Sequence, residues 1–194
     1  MPSAHRQLPP EPAPRPWTPL AWTLLALITI AGAVLRLWRL DHAPPGLEQD
    51  EALGAWMSWC LLHTGRDMSG QAWPIFYAHG IGDSPPTLSF YLTIPFQWLG
   101  GMSPITTRLP GALAGTLCVP LLAWVANKLH GWRTALIAAA LLAFSPWHLF
   151  VSRFGVGASE CPLEALLPVA LLLSAGLLTG GPARPRREIG RAHV

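Results

Sequence analysis

Charge is scarce in this chain. Only 12% of its 194 residues are Asp, Glu, Lys or Arg, while 51% are apolar, and the mean hydropathy is +0.35. A soluble globular domain carries about 25% charged residues, so the composition excludes an ordinary soluble domain and predicts a membrane protein. The net charge of +3 does not indicate nucleic-acid binding, because the basic residues form no stripe and follow the loops between apolar segments.

Several signatures of soluble enzymes are also missing. The three cysteines, Cys60, Cys118 and Cys161, are an odd number without ligand spacing, which argues against a disulfide framework and a zinc site. The chain has no Gly-rich phosphate loop, nucleophile elbow or zinc motif. We therefore predict no cofactor and no metal site, with a divalent metal left open as the alternative.

Long apolar segments are what the chain has instead. Residues 17–38 are nearly uncharged and, at about 20 residues, are long enough for one helix to cross a bilayer, with Trp at each end. A cleaved signal peptide, with Ala31-Gly32-Ala33 as the cleavage site, is the alternative. Three later segments are similarly apolar: residues 109–126, residues 134–144 continuing toward 150, and residues 162–179. The predicted fold is all-α and multi-spanning, with about four transmembrane helices.

The segment 87–99 is apolar but short for a span, and it contains Pro95. If it does not cross, Lys128, Arg133 and the arginines near the C-terminus lie on the cytoplasmic side with both chain ends, as the positive-inside rule favours. The sequence thus predicts a long first outer loop over about residues 39–107, with two interfacial helices in it. Most acidic residues then face outward.

The two ends of the chain differ from the rest. Residues 1–16 are rich in proline and are predicted to be disordered, whereas residues 17–187 form the predicted membrane domain. Residues 188–194 resemble the translation of a sequencing-library adaptor, which would make the chain a truncated reading frame that is inactive alone. A genuine short polar tail is the alternative.

The first outer loop holds a pair of acids, Asp50-Glu51, after a Pro44-Pro45-Gly46 turn. Apolar residues at helical spacing follow: Leu53, Trp56, Met57, Cys60 and Leu61. This stripe predicts a helix that ends at Thr64-Gly65 and lies in the membrane interface with its apolar side chains in lipid. Asp50 is then the expected N-cap, and capping would also fix the direction of its carboxylate.

Short motifs follow one another along the chain: Pro44-Pro45-Gly46, Asp50-Glu51-Ala52, His63-Thr64-Gly65-Arg66-Asp67, Ser84-Pro85-Pro86, Thr107-Arg108-Leu109-Pro110, and Ser145-Pro146-Trp147-His148 with Ser152-Arg153. In this order and spacing they resemble the N-terminal part of polyprenyl-phosphate-dependent glycosyltransferases of the GT-C fold. That group includes protein O-mannosyltransferases and the aminoarabinose transferases of lipid A. The resemblance covers about residues 35–173.

The resemblance implies transfer of a sugar, with inversion, from a polyprenyl (undecaprenyl or dolichyl) phosphate to an acceptor on the extracytoplasmic side. The catalytic Asp proposed for the family maps onto Asp50, with Glu51 beside it, and a carboxylate there can act as a general base. The implied setting is a multi-pass protein of the bacterial inner membrane. Its partners are the lipid-linked donor, membrane lipid and an unidentified acceptor, and not nucleic acid.

Further residues are predicted to bind substrate. Three arginines on the outer side, Arg36, Arg108 and Arg153, could stabilise the departing lipid phosphate. Their alternatives are snorkelling for Arg36 and ion pairs with outer acids for the other two. Asp83 and Glu160 could position donor or acceptor, the alternatives being a turn residue for Asp83 and pairing with Arg153 for Glu160.

Two other functions compete with the enzyme. A transporter or flippase-like protein would carry ionisable groups near the bilayer midplane and repeated broken helices, whereas the charges here cluster at the outer boundary. A small non-catalytic membrane subunit would suit a reading frame that truly ends near residue 187.

Overall fold

A computed structural model describes residues 16–78 and 87–178. Over those two ranges the regular secondary structure consists of helices, without strands. The α-helices are α1 (Pro19–Leu37), α2 (Gln49–Thr64), α3 (Leu88–Gly100), α4 (Pro104–His130), α5 (Trp132–Phe144), α6 (Pro146–Ser152) and α7 (Cys161–Ser174), and a 3-10 helix, Gly157–Ser159, precedes α7. The all-α prediction is confirmed. The predicted disorder before residue 16, Asp83 and the 188–194 tail lie outside the described residues.

Three helical segments are long and apolar enough to cross a membrane: α1, α4 and the continuous stretch Gly157–Ser174. Helices α5 and α6 together give a fourth if the pair, bent by 58°, is one broken span. The prediction of about four transmembrane helices is therefore confirmed, and α3, with 13 residues, is not among the candidate spans.

Helix α4 is the centre of the bundle, since α1, α5 and α7 all pack against it. The α4–α5 contact is built from alanines, with Ala123 on α4 and Ala135, Ala139 and Ala143 on α5 all fully buried. Small side chains let helix backbones approach closely in a membrane protein, where dispersion contacts replace the hydrophobic effect as the driving force. Close packing thus fixes the relative positions of the spans that carry the site.

Helix α2 packs against α3 on one side of the bundle. Met57 and Leu61, both 0% exposed, lie in one buried hydrophobic cluster with Phe90 of α3. The predicted apolar stripe therefore exists, but these two members of it pack against protein, and the expectation that they meet lipid was wrong. Trp56, at 47% exposed, is the large member that stays uncovered.

The first turn of α2 differs from the prediction. The N-cap is Glu48, whose carboxylate accepts a hydrogen bond from the Asp50 N–H at 2.8 Å, while Glu51 accepts one from the Glu48 N–H at 3.0 Å. Asp50 is thus inside the helix, and its predicted role as N-cap was wrong, because this reciprocal capping box starts the helix two residues earlier. The predicted end is confirmed: Gly65 follows with φ of 64°.

Candidate active site

A loop between α1 and α2 wraps around Arg108, which is fully buried near the start of α4. Its Nε and Nη2 atoms donate to the two carboxylate oxygens of Glu51, each at 2.8 Å. The remaining donors go to the backbone carbonyls of Leu40 at 3.0 Å, Pro44 at 2.9 Å and Gly46. A guanidinium has five N–H groups, so every donor of Arg108 is used within the protein.

Glu51 is equally buried and equally engaged. Besides Arg108, its carboxylate accepts hydrogen bonds from the backbone N–H groups of Gly155 at 2.8 Å and Glu48 at 3.0 Å. Burial by itself would raise the pKa of Glu51, but the hydrogen bonds from Arg108, Glu48 and Gly155 outweigh it and hold the pKa below its ordinary value of 4.5. Glu51 is therefore an anion that joins α2, α4 and the segment after α6.

Arg153 binds the other side of the same loop. Its Nη1 donates to the carbonyls of Leu35 at 2.6 Å and Arg36 at 3.0 Å, and its Nη2 to those of Trp38 at 2.9 Å and Ala43 at 2.6 Å. Carbonyls at the end of a helix lack partners in the helix itself. Arg153 thus satisfies the end of α1 and fixes the chain that leads to α2.

Arg36 has a similar role at the break between α5 and α6. Its Nη1 donates to the carbonyls of Gly32 at 2.8 Å and Ala143 at 3.2 Å. Its Nη2 donates to Leu142 at 3.3 Å and to Nδ1 of His148 at 2.8 Å. Because Arg36 can only donate, His148 accepts at Nδ1. Arg36 therefore ties α1 to the last turn of α5 and to α6.

Each arginine predicted to bind the lipid phosphate thus holds backbone carbonyls in this structure. Arg36 and Arg108 are both 0% exposed, whereas Arg153 is half-buried. Binding of a phosphate by Arg108 would require an exchange of its present partners. The predicted contact of these arginines with substrate stays a prediction, and the alternative of an ion pair with an acid is confirmed for Arg108.

A cavity of about 630 Å³ opens between α2, α3 and the start of α7. It is lined by Asp50, Leu53, Gly54, Leu88, Ser89, Phe90, Thr93, Gly155, Val156, Gly157, Ala158, Glu160, Cys161 and Glu164. Three of these side chains are carboxylic acids and none is Lys, Arg or His. The cavity as described therefore suits a neutral, hydroxyl-bearing group with apolar sides better than it suits a bare phosphate.

Asp50 reaches this cavity from the first turn of α2. Its side chain is exposed, and no partner of its carboxylate occurs within the two described ranges. The adjacent acids thus have opposite surroundings: Glu51 is enclosed by donors, and Asp50 is free to meet a bound molecule.

Glu160 approaches the same cavity from the opposite wall. It is only 4% exposed, and its Oε2 has no hydrogen-bond partner among the residues that the structure describes. The alternative that Glu160 pairs with Arg153 was wrong, since Arg153 donates to the end of α1 and the following loop. A buried carboxylate oxygen without a donor costs free energy that a hydroxyl or amine of a ligand would recover.

Some features of the site were not predicted. The bonds made by the Gly155 N–H and by the loop carbonyls involve backbone groups, which residue type does not reveal. Glu164 had a signal, since it lies four residues after Glu160 on the same helix face. No cluster of three or more His, Cys, Asp or Glu side chains arranged for a metal ion occurs in the part of the chain that the structure describes.

A family model described as dolichyl-phosphate-mannose-protein mannosyltransferase matches residues 26–157, more than half of the chain. The matched range contains Asp50, Glu51, Arg108 and Arg153 and ends just before Glu160. No curated protein matches the chain. No solved structure matches it either.

Proposed function

The chain belongs to the dolichyl-phosphate-mannose-protein mannosyltransferase family, and we propose that Asp50 is the general base of its sugar transfer from a polyprenyl phosphate. Membership makes the protein a membrane glycosyltransferase of the GT-C type. The proposal adds the lipid-linked donor, inversion at the anomeric carbon and the residues that act.

The different surroundings of two neighbouring acids carry the proposal. Glu51 accepts four hydrogen bonds and is absent from the cavity lining, while the Asp50 carboxylate lines the cavity and has no partner among the described residues. A general base must reach the proton that it removes. This contrast supports Asp50 as the proposed base, with Glu51 proposed to hold the helix that carries it.

In the proposed step, the acceptor hydroxyl oxygen attacks the anomeric carbon from the side opposite the phosphate. Its proton passes to the Asp50 carboxylate, and the bond from the anomeric carbon to the phosphate oxygen breaks. The electron pair leaves on the polyprenyl monophosphate, so the product has the opposite anomeric configuration. The unpaired Glu160 oxygen is proposed to accept a hydrogen bond from a hydroxyl of the donor or acceptor.

The leaving phosphate needs a positive partner, and the described residues of the cavity lining supply none. Among the predicted arginines we retain Arg153 first, because it is only half-buried while Arg36 and Arg108 are fully enclosed. Asp83 remains a proposed positioning residue. The side of the membrane is also proposed: the positive-inside rule favours a cavity that faces away from the cytoplasm of a bacterial cell.

Donor specificity tests the proposal. Membranes containing the expressed protein receive either mannosyl polyprenyl phosphate or GDP-mannose labelled in the sugar, with lipid-carrier synthesis blocked. We expect label in an acceptor protein from the lipid donor alone, with an inverted anomeric centre and loss of transfer in Asp50→Asn. Transfer from GDP-mannose, or a product of retained configuration, would refute the proposed reaction.

A further inference from the structure

Helix α3 lies across the outer ends of two spans on the cavity side. Near its C-terminal end, a Cβ added at Gly100 would lie 2.9 Å from Cγ2 of Thr106, two residues into α4. Near its N-terminal end, a Cβ added at Gly157, where the last span begins, would lie 3.3 Å from Oγ of Ser89. With a length of about 20 Å, α3 therefore bridges the starts of these two candidate spans.

The chain before α3 forms a loop, residues 73–77, that is tied to the first turn of this helix. The Thr87 hydroxyl donates to the Ile75 carbonyl at 2.5 Å, the Thr87 N–H to the Phe76 carbonyl at 3.1 Å, and the Tyr91 hydroxyl to the Pro74 carbonyl at 2.7 Å. These bonds fix the loop through its backbone. Because α3 bridges the starts of two candidate spans, the loop is held close to those span ends.

Four of the five side chains of this loop are large, uncharged and exposed, while Pro74 is buried. Ile75 is 78% exposed, Phe76 77% and Tyr77 60%, and Trp73 before them is 59% exposed. None of residues 73–77 is charged. A run of exposed large apolar side chains on a fixed backbone marks an interaction surface.

We propose that residues 73–77 insert into the headgroup and acyl boundary of the leaflet on the cavity side, and so anchor α3 and the cavity at the membrane surface. Continuity with the membrane supports a lipid occupant, since the loop is attached to a helix that joins two span ends. The composition supports it too, because Trp and Tyr favour this boundary and uncharged loops enter it without loss of ion hydration. The sugar donor plays no part in this proposal.

The test measures the depth of a single label in the full chain, reconstituted in phosphatidylethanolamine and phosphatidylglycerol vesicles. Cys60 and Cys161 are replaced by Ser, while the fully buried Cys118 is kept. A nitrobenzoxadiazole fluorophore is attached to Phe76→Cys. The matched control is Gln71→Cys, an exposed polar position in the same outer segment.

We expect brominated acyl chains to quench the label at position 76 several-fold more than the label at position 71, and aqueous cobalt to show the reverse order. Equal cobalt quenching at both positions would overturn the proposal, because the loop would then lie in water. Protection of position 76 from both quenchers would also overturn it and would indicate that protein covers the loop. Protection of Cys118 from maleimide confirms that each variant is folded.

Discussion

Replacement of Glu51 by Gln should strongly destabilise the folded protein, although Gln has nearly the same size and shape as Glu. The change removes the charge that neutralises Arg108 and replaces one acceptor oxygen by an NH₂ group among donors. Both side chains of the ion pair are 0% exposed, so solvent cannot compensate. Breaking such a pair from one side costs about 3–5 kcal/mol, a large fraction of the roughly 5–15 kcal/mol by which proteins are folded.

A buried thiol provides the assay. Cys118 is 0% exposed and reacts with a fluorogenic maleimide only when the bundle opens. With Cys60 and Cys161 replaced by Ser, the temperature at half-maximal fluorescence reports unfolding in detergent. A loss of about 3–5 kcal/mol corresponds to a fall of roughly 6–20 °C for a chain of this size.

Two comparisons make the result specific. Asp50→Asn removes the same charge one residue earlier at an exposed position, and we expect it to change stability by less than about 0.5 kcal/mol. The double variant Glu51→Gln with Arg108→Gln should lose less than the sum of the single losses, because the unpaired charge is gone. Equal melting temperatures for Glu51→Gln and Asp50→Asn would refute the assignment of Glu51 as the buried anchor.

Three further outcomes follow from the packing and the charges. Because the pKa of Glu51 in the folded protein lies below its ordinary 4.5, its contribution to stability is complete above about pH 4.5 and is lost as the pH falls through the folded value. In circular dichroism melts, the melting temperature of the unchanged protein should therefore fall more steeply with acid than that of Glu51→Gln. Parallel curves would contradict this. Gly115→Ala places a Cβ 2.5 Å from Cβ of Ser152 and should lower the free energy of unfolding by about 1–3 kcal/mol in the maleimide assay. The control Gly54→Ala, whose added Cβ has its nearest neighbour 3.5 Å away, should leave stability unchanged or raise it. A larger loss of stability for Gly54→Ala than for Gly115→Ala would contradict this. Met57→Ala should cost about 2–5 kcal/mol in that assay, since Met57 is fully enclosed, and a loss below 1 kcal/mol would argue against the α2–α3 contact.

The helices were predictable because hydrophobic runs and turn residues act locally. The predicted first span, residues 17–38, differs from α1 by two residues at its start and one at its end. Gly65 ends α2 as predicted, in the left-handed conformation that glycine adopts readily after a helix. The start of α2 was not predictable from residue preference, because Asp is favoured over Glu as an N-cap. Here the Glu48 and Glu51 pair forms a reciprocal box instead.

The site was predictable in part only. Sequence order placed Asp50 beside Glu51, but nothing in it distinguished the free acid from the locked one. That distinction depends on Arg108, 57 residues later, and on a backbone N–H at Gly155. Likewise, periodicity identified the buried face of α2 but could not say whether lipid or α3 covers Met57.

The most direct measurement is the single-turnover rate of sugar transfer from a polyprenyl phosphate by Asp50→Asn, in membranes that carry the expressed protein. We predict a rate about 10²–10⁴ times lower than that of the unchanged protein, with Cys118 still protected from maleimide. An unchanged rate in the folded Asp50→Asn protein would contradict the account, since the free carboxylate in the cavity would then have no part in the reaction.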